Sequence, residues 1–137
     1  MPGGFWLGQR HANSYLLFME PSKVYRIEYY EDSDGVDHFN EWLSGLNDQR
    51  TKKKVVFELY KLSVGIGDVR SLGEGLMELR IMGDKASRLY FAYEDRKIVV
   101  VFAGSSKEDQ KRTIPKAKAL YYQYLERRKR NATKNAS

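Results

Sequence analysis

The chain has 137 residues, which is enough for one domain with its own hydrophobic core. It contains no Cys, which excludes disulfides, thiol catalysis and Cys-ligated zinc sites. Its 24 Lys and Arg residues against 18 Asp and Glu give a net charge of +6, which suits a polyanionic partner such as nucleic acid.

Residues 1–23 show no clear periodicity, and we expect them to form an N-terminal extension of uncertain order. The apolar runs of the chain, such as residues 98–103, are far too short to cross a bilayer, and no signal-peptide pattern precedes them. We therefore expect a cytoplasmic protein.

Residues 24–30 alternate and are rich in aromatics, which predicts a strand. Asp37 is placed to cap a short amphipathic helix, and a second helix is predicted between Asp48 and a C-terminal Gly65. The two helices are expected to form a hairpin. Their predicted apolar stripes are Phe39, Trp42, Leu43 and Leu46, followed by Val55, Val56, Leu59 and Leu62.

Three strands over 77–81, 88–93 and 97–103 are expected to form an antiparallel meander, with the last hydrophobic enough to be central. A closing helix follows, with Thr113 as its predicted cap and Pro115 in its first turn. The stripe predicted for this helix is Ile114, Ala117, Leu120, Tyr121 and Tyr124.

The helix is expected to fray into a basic tail over residues 127–137. The tail is interpreted as a solvated terminus, with an accessory RNA or antitoxin contact as the alternative.

Side chains alternate across a strand, so the sheet should have two distinct faces. Met77, Leu79 and Ile81 should share the core face with Leu89, Phe91 and Tyr93. Glu78, Arg80, Arg88, Tyr90 and Ala92 should then share the other face, which we expect to be open to solvent. The alternation thus predicts two arginines side by side outside the core.

The search for catalytic residues leaves mainly cations. We expect His11 and His38 to be structural or merely exposed, no acidic cluster has metal-ligand spacing, and residues 73–75 read as a turn. A basic set remains, which consists of Arg80, Arg88, Lys107, Lys111 and Arg112. Tyr90 lies among these cations as an aromatic that could stack on a nucleic-acid base. The alternative is that these cations only solubilise one face of the sheet.

Several segments resemble the RelE/HigB toxin superfamily, in particular its addiction-module killer branch, also described as phage Gp49-like. The segments are "FNEWLSGL", "LGEGLMELRI", "SRLYFAYEDRKIVVVFAG" and "SSKEDQKRTIPKAKAL", and the resemblance spans about residues 38–122. It implies an α+β fold with an N-terminal strand, a two-helix hairpin, an antiparallel sheet and a C-terminal helix, here over residues 24–126.

The resemblance implies a toxin of a type II toxin–antitoxin module that cuts mRNA, usually at the ribosome, without a metal or other cofactor. The expected partners are mRNA and a helix-turn-helix antitoxin encoded nearby. No membrane partner is expected. Arg88 matches the arginine that stabilises the scissile phosphate, and Arg80 matches the arginine beside it. Lys107, with Lys111 and Arg112, matches the segment that supplies proton transfer and phosphate contacts.

One departure concerns the general base. RelE has lysines just before its Leu-Arg pair, where this chain has Met77 and Glu78. The C-terminal aromatic of RelE also has no evident counterpart, for which Tyr90 or Tyr93 are the candidates. Two other functions stay open: a ParE-like toxin that inhibits DNA gyrase, and a non-enzymatic RNA-binding protein.

Overall fold

A computed structural model of the protein describes residues 24–83 and 85–136. The described residues form five strands and three helices: β1 Arg26–Tyr29, α1 His38–Ser44, α2 Gln49–Ser63, β2 Asp68–Gly73, β3 Leu76–Ile81, β4 Ser87–Glu94, β5 Ile98–Ser106 and α3 Gln110–Ala136. This confirms the α+β class. The predicted N-terminal extension, with His11, lies outside the described residues.

The strands form one mixed sheet in the order β1-β5-β4-β3-β2. β1 runs parallel to β5, whereas the other neighbours pair antiparallel. The meander of β3, β4 and β5 and the internal position of β5 are therefore confirmed. β2 was not predicted, and the turn after Gly73 joins it to β3 in a hairpin.

Both faces of the sheet carry a hydrophobic core. On one face, α1 and α2 pack through Phe39, Val55 and Leu59 against strand residues such as Leu89 and Phe91. On the other face, α3 packs through Ala117, Leu120 and Tyr121 against Tyr90 and Phe102, among others. The expectation of an open outer face is wrong, because the closing helix lies across it.

Aspartates begin the first two helices as predicted. Asp37 accepts a hydrogen bond from Asn40 N at 3.0 Å, and Asp48 accepts one from Arg50 N at 3.0 Å, so each satisfies an amide that the helix leaves unpaired. In α2, Val55, Leu59 and Leu62 are buried as predicted. The predicted burial of Val56 is wrong, since this side chain is 57% exposed.

The third helix begins earlier than predicted and extends further. It starts at Gln110 rather than after Thr113, so Pro115 lies in its second turn instead of its first. Its predicted stripe is confirmed, since Ala117, Leu120 and Tyr121 are buried while Ile114 and Tyr124 pack beside them. The predicted basic tail does not fray but continues this helix to Ala136.

Candidate functional site

Four strands place polar residues in one row across the α3 face of the sheet. The row runs Asp68, Arg80, Arg88, Ser105, because each residue is the register partner of the next. Directly opposed residues of antiparallel strands point to the same face, with Cα atoms about 4.5–5.5 Å apart. The prediction that Arg80 and Arg88 share a face is therefore confirmed. A parallel row contains Arg70, Glu78, Tyr90 and Ala103.

Arg88 is buried at the centre of its row, with 3% of its surface exposed. Its Nη1 donates to Ser87 O at 3.0 Å, but its Nε has no hydrogen-bond partner in the described part of the chain. Within residues 24–83 and 85–136, no carboxylate forms an ion pair with Arg88. A buried cation without a counter-ion is costly in free energy, so it marks a position suited to an anion from outside the chain.

Arg80 is the more accessible arginine, with 27% of its side chain exposed. Its Nε lies 3.9 Å from Asp68 Oδ2, and Arg70 Nε lies 3.8 Å from the other oxygen of the same carboxylate. Both distances exceed hydrogen-bond length, so Asp68 holds the two arginines only loosely. The guanidinium of Arg80 is therefore accessible and only loosely paired.

Tyr90 is fully buried, and its hydroxyl lies 3.0 Å from Ser105 Oγ. Burial raises the pKa of Tyr90 above its ordinary value; the hydrogen bond with Ser105 lowers it in part, the nearby Glu78 carboxylate raises it, and Arg88 lowers it least. The phenol stays protonated at neutral pH and can donate a hydrogen bond or a proton. The prediction that Tyr90 stacks on a base is wrong for this conformation, because the ring lies inside the core.

Glu78 lies beside the arginines and is 4% exposed. Its Oε2 accepts a hydrogen bond of 2.5 Å from Gln110 Nε2, which joins the first residue of α3 to β3. This contact holds the start of α3 over the polar rows. Glu78 is the register partner of Tyr90 and stands two residues before Arg80 on β3, so it lies in the row next to the two arginines.

The predicted basic segment after β5 forms an exposed rim beside the row. Lys107 N donates to Ala86 O at 3.0 Å, which fixes Lys107 next to the β3–β4 turn. Arg112 pairs with Asp109 at 2.6 Å, whereas Lys107 and Lys111 form no ion pair among the described residues. Lys107 and Lys111 are therefore the rim cations available to a substrate.

The remaining candidates are structural or distant. His38 Nε2 lies 2.7 Å from Asp32 Oδ2, which agrees with the structural role expected for it. Tyr93 contacts Tyr25 and Phe91 on the opposite face from Arg88, so it does not supply the missing aromatic. In the part of the chain that the structure describes, no three His, Asp or Glu side chains cluster in a way that could hold a metal ion.

Sequence analysis missed four members of the site. Asp68 and Arg70 lie on the strand that was not predicted, so no alternation argument could place them. Ser105 follows the predicted end of its strand at residue 103, and Gln110 was placed before the closing helix. The segment "SSKEDQKR", which carries part of the family resemblance, contains both Ser105 and Gln110, so the resemblance could have indicated these two residues.

An uncharacterized protein of Haemophilus influenzae is 34% identical to this chain over 83 residues, which cover 60% of this chain and 84% of that protein. No family model matches the chain. Because the match is 34% identical and covers most of that relative, the chain belongs to the same protein family as the Haemophilus influenzae protein.

Within residues 24–83 and 85–136, no helix combines the length and apolar character that a membrane span requires.

Proposed function

We propose that the protein is a toxin of a type II toxin–antitoxin module, related to the RelE/HigB superfamily, and that residues 24–126 form its toxin domain. It acts in the cytoplasm as a metal-free endoribonuclease on mRNA at the ribosome. The observation that supports this most strongly is the buried Arg88, which lies opposite the accessible Arg80. Among the described residues it has neither a carboxylate partner nor a hydrogen bond at Nε.

The proposed reaction needs only groups of the chain and of the RNA. The ribose 2′-OH attacks the adjacent phosphorus, the P–O5′ bond breaks, and the products carry a 2′,3′-cyclic phosphate and a 5′-OH. DNA lacks that hydroxyl and is not cut. Arg80 and Arg88 neutralise the charge on the phosphorane, each worth roughly 3 kcal/mol by analogy with oxyanion donors.

Proton transfer falls to groups around the two arginines. Glu78 is the candidate base, because it lies in the next row of the same face. Lys107 is the candidate acid for the leaving 5′ oxygen, because it is exposed on the rim next to Arg88's strand. Tyr90 keeps its proton because burial raises its pKa, so its hydroxyl, hydrogen-bonded with Ser105, does not serve as a base.

Primer extension on mRNA from cells that express the protein tests this function. We expect cleavage with the natural chain and none with the Arg80→Ala, Arg88→Ala double variant, provided that the variant accumulates in folded form. Retained cleavage by the double variant would refute the catalytic role of the arginines. Growth arrest with gyrase inhibition and without mRNA cleavage would favour a ParE-like toxin instead.

A further inference from the structure

A second basic feature lies on the face of the sheet that α1 and α2 cover, opposite the face that carries Arg88. A cleft of about 490 Å³ opens between the start of α2 and the turn from β3 to β4. Arg50 and Lys54 line it from α2, and Lys85 lines it from the turn. The only carboxylate among the described lining residues is Asp48.

Asp48 offsets only one of these three positive charges, and its carboxylate also caps α2. It accepts hydrogen bonds from Thr51 Oγ1 at 2.9 Å and Arg50 N at 3.0 Å, and these bonds, led by that of Thr51, hold the pKa of Asp48 below its ordinary value. Lys85 Nζ is 3.9 Å from this carboxylate, a loose contact. Arg50 and Lys54 form no ion pair among the described residues, and Asp84 of the same turn lies outside them. The described lining residues therefore carry three positive charges against one negative charge.

The cleft and the candidate site meet at the start of β4, where Ser87 and Arg88 are neighbours. Ser87 lines the cleft, and its carbonyl accepts the hydrogen bond from Arg88 Nη1. On the other side of the same turn, Lys107 N donates to Ala86 O. Met82, which is 57% exposed, adds an apolar surface to the cleft that a base can contact.

We propose that this cleft binds phosphates of the single-stranded RNA that flank the bond cut at Arg80 and Arg88. The RNA strand passes from the α3 face around the β3–β4 turn to the face covered by α1 and α2, so that Lys54 and Lys85 contact its backbone. Uncompensated cations along a groove are the usual means of following a single strand without reading its sequence. This inference rests on the proposed function, since it takes RNA as the substrate.

The test measures RNA binding apart from cleavage. A 2′-O-methyl RNA oligonucleotide lacks the attacking hydroxyl and stays intact, so its affinity can be followed by fluorescence anisotropy between 50 and 200 mM salt. Loss of one phosphate contact to a single strand reduces the slope of log K against log salt by about 0.7. We expect the Lys54→Gln, Lys85→Gln variant to reduce it by about 1.4.

The matched control is Arg26→Gln, Lys97→Gln, which removes the same charge at the opposite end of the sheet, where Arg26 N donates to Lys97 O. Its slope should equal that of the natural chain. An unchanged slope in the cleft variant, or no measurable binding of the oligonucleotide, would overturn the cleft proposal. A reduced slope together with failure of the natural chain to cut mRNA on ribosomes would support the cleft and reject the ribonuclease function.

Discussion

Within the part of the chain that the structure describes, Arg88 is buried without the partners that a stabilising arginine normally has. Its guanidinium is buried, yet it makes one hydrogen bond and no ion pair among the described residues. A buried arginine that serves stability is normally held by a carboxylate and several acceptors. Arg88 lacks these, which leads us to expect that the fold tolerates its loss better than activity does.

Arg88→Met should therefore keep or raise the thermal midpoint, because an apolar side chain of similar volume replaces an uncompensated charge without a large cavity. A thermal melt checks this. Leu89→Ala is the matched control, since Leu89 is fully buried on the other face of the same strand and its truncation should cost about 2–5 kcal/mol. A loss of stability in Arg88→Met as large as that of the control would assign Arg88 a structural role.

Asp32 gives a prediction on pH dependence. The pKa of its carboxyl lies below the ordinary value of 3.8, chiefly because Val36 N–H donates to it, with His38 as the next contributor. A depressed pKa in the folded state stabilises the fold above pH 3.8, and this contribution is lost as pH falls through the folded pKa.

Asp32→Asn should accordingly lower the thermal midpoint at pH 7, and the difference from the natural chain should shrink as pH falls below 3.8. Asp34→Asn in the same turn is the control, because no hydrogen bond to its carboxylate is recorded among the described residues. A midpoint difference that stays constant from pH 7 to pH 2 would contradict the linkage.

At the residue scale, alternation correctly predicted which side chains share a face, but it could not predict burial. Arg80 and Arg88 lie on the same face because the strand period is two, which is a local property. The burial of Arg88 depends on α3, which arrives from more than 20 residues further along the chain. No local pattern around Arg88 contains that information.

At the scale of elements, α1 is positioned by a close approach to β5. Trp42 of α1 lies directly over Gly104, where an added Cβ would overlap the indole ring. Gly104 has an ordinary backbone conformation, so the requirement for glycine is steric and comes from the helix above it.

Gly104→Ala should therefore destabilise the protein by about 1–3 kcal/mol, because the helix must shift or the indole must leave its position. Chemical denaturation checks this value. Gly45→Ala at the end of α1 is the control, since its Cβ would meet only ordinary contacts, the nearest at 3.4 Å from Glu41 O. Equal effects of the two substitutions would contradict the close approach of Trp42.

The elements that sequence analysis missed are those stabilised mainly by their neighbours. β2 has the sequence DVRSLG, in which only Val69 and Leu72 are apolar and both are half-buried. Its strand conformation depends on pairing with β3, which an alternation pattern does not show. The early start of α3 was missed because Pro115 was assigned to the first turn, where proline is most common.

At the scale of the whole molecule, α3 couples the site to the fold. The helix spans Gln110–Ala136, packs across the strands through its apolar stripe, and donates from Gln110 to Glu78. Near its other end, Arg127 lies over the Tyr30 ring at 4.9 Å and donates to Glu31 O at 3.2 Å. The same helix therefore contacts the polar rows through Gln110 and the residues after β1 through Arg127.

Expression of the natural chain alone should arrest growth and reduce translation, and co-expression with an antitoxin from the neighbouring gene should restore both. The reason is that the proposed site needs no cofactor and acts on mRNA as soon as the chain folds. Growth curves with incorporation of a labelled amino acid measure the effect. Normal growth at high expression would count against a toxin.

The central claim is that Arg80 and Arg88 form an RNA-cleaving site, and the most direct test is the chemistry of the cut ends. Purified protein is incubated with mRNA on ribosomes, and the 3′ ends are identified by their resistance to ligation until the cyclic phosphate is removed. We expect 2′,3′-cyclic phosphate ends with the natural chain, and a rate at least about 100-fold lower for Arg88→Met. Intact mRNA with the natural chain, or undiminished cleavage by Arg88→Met, would contradict the claim.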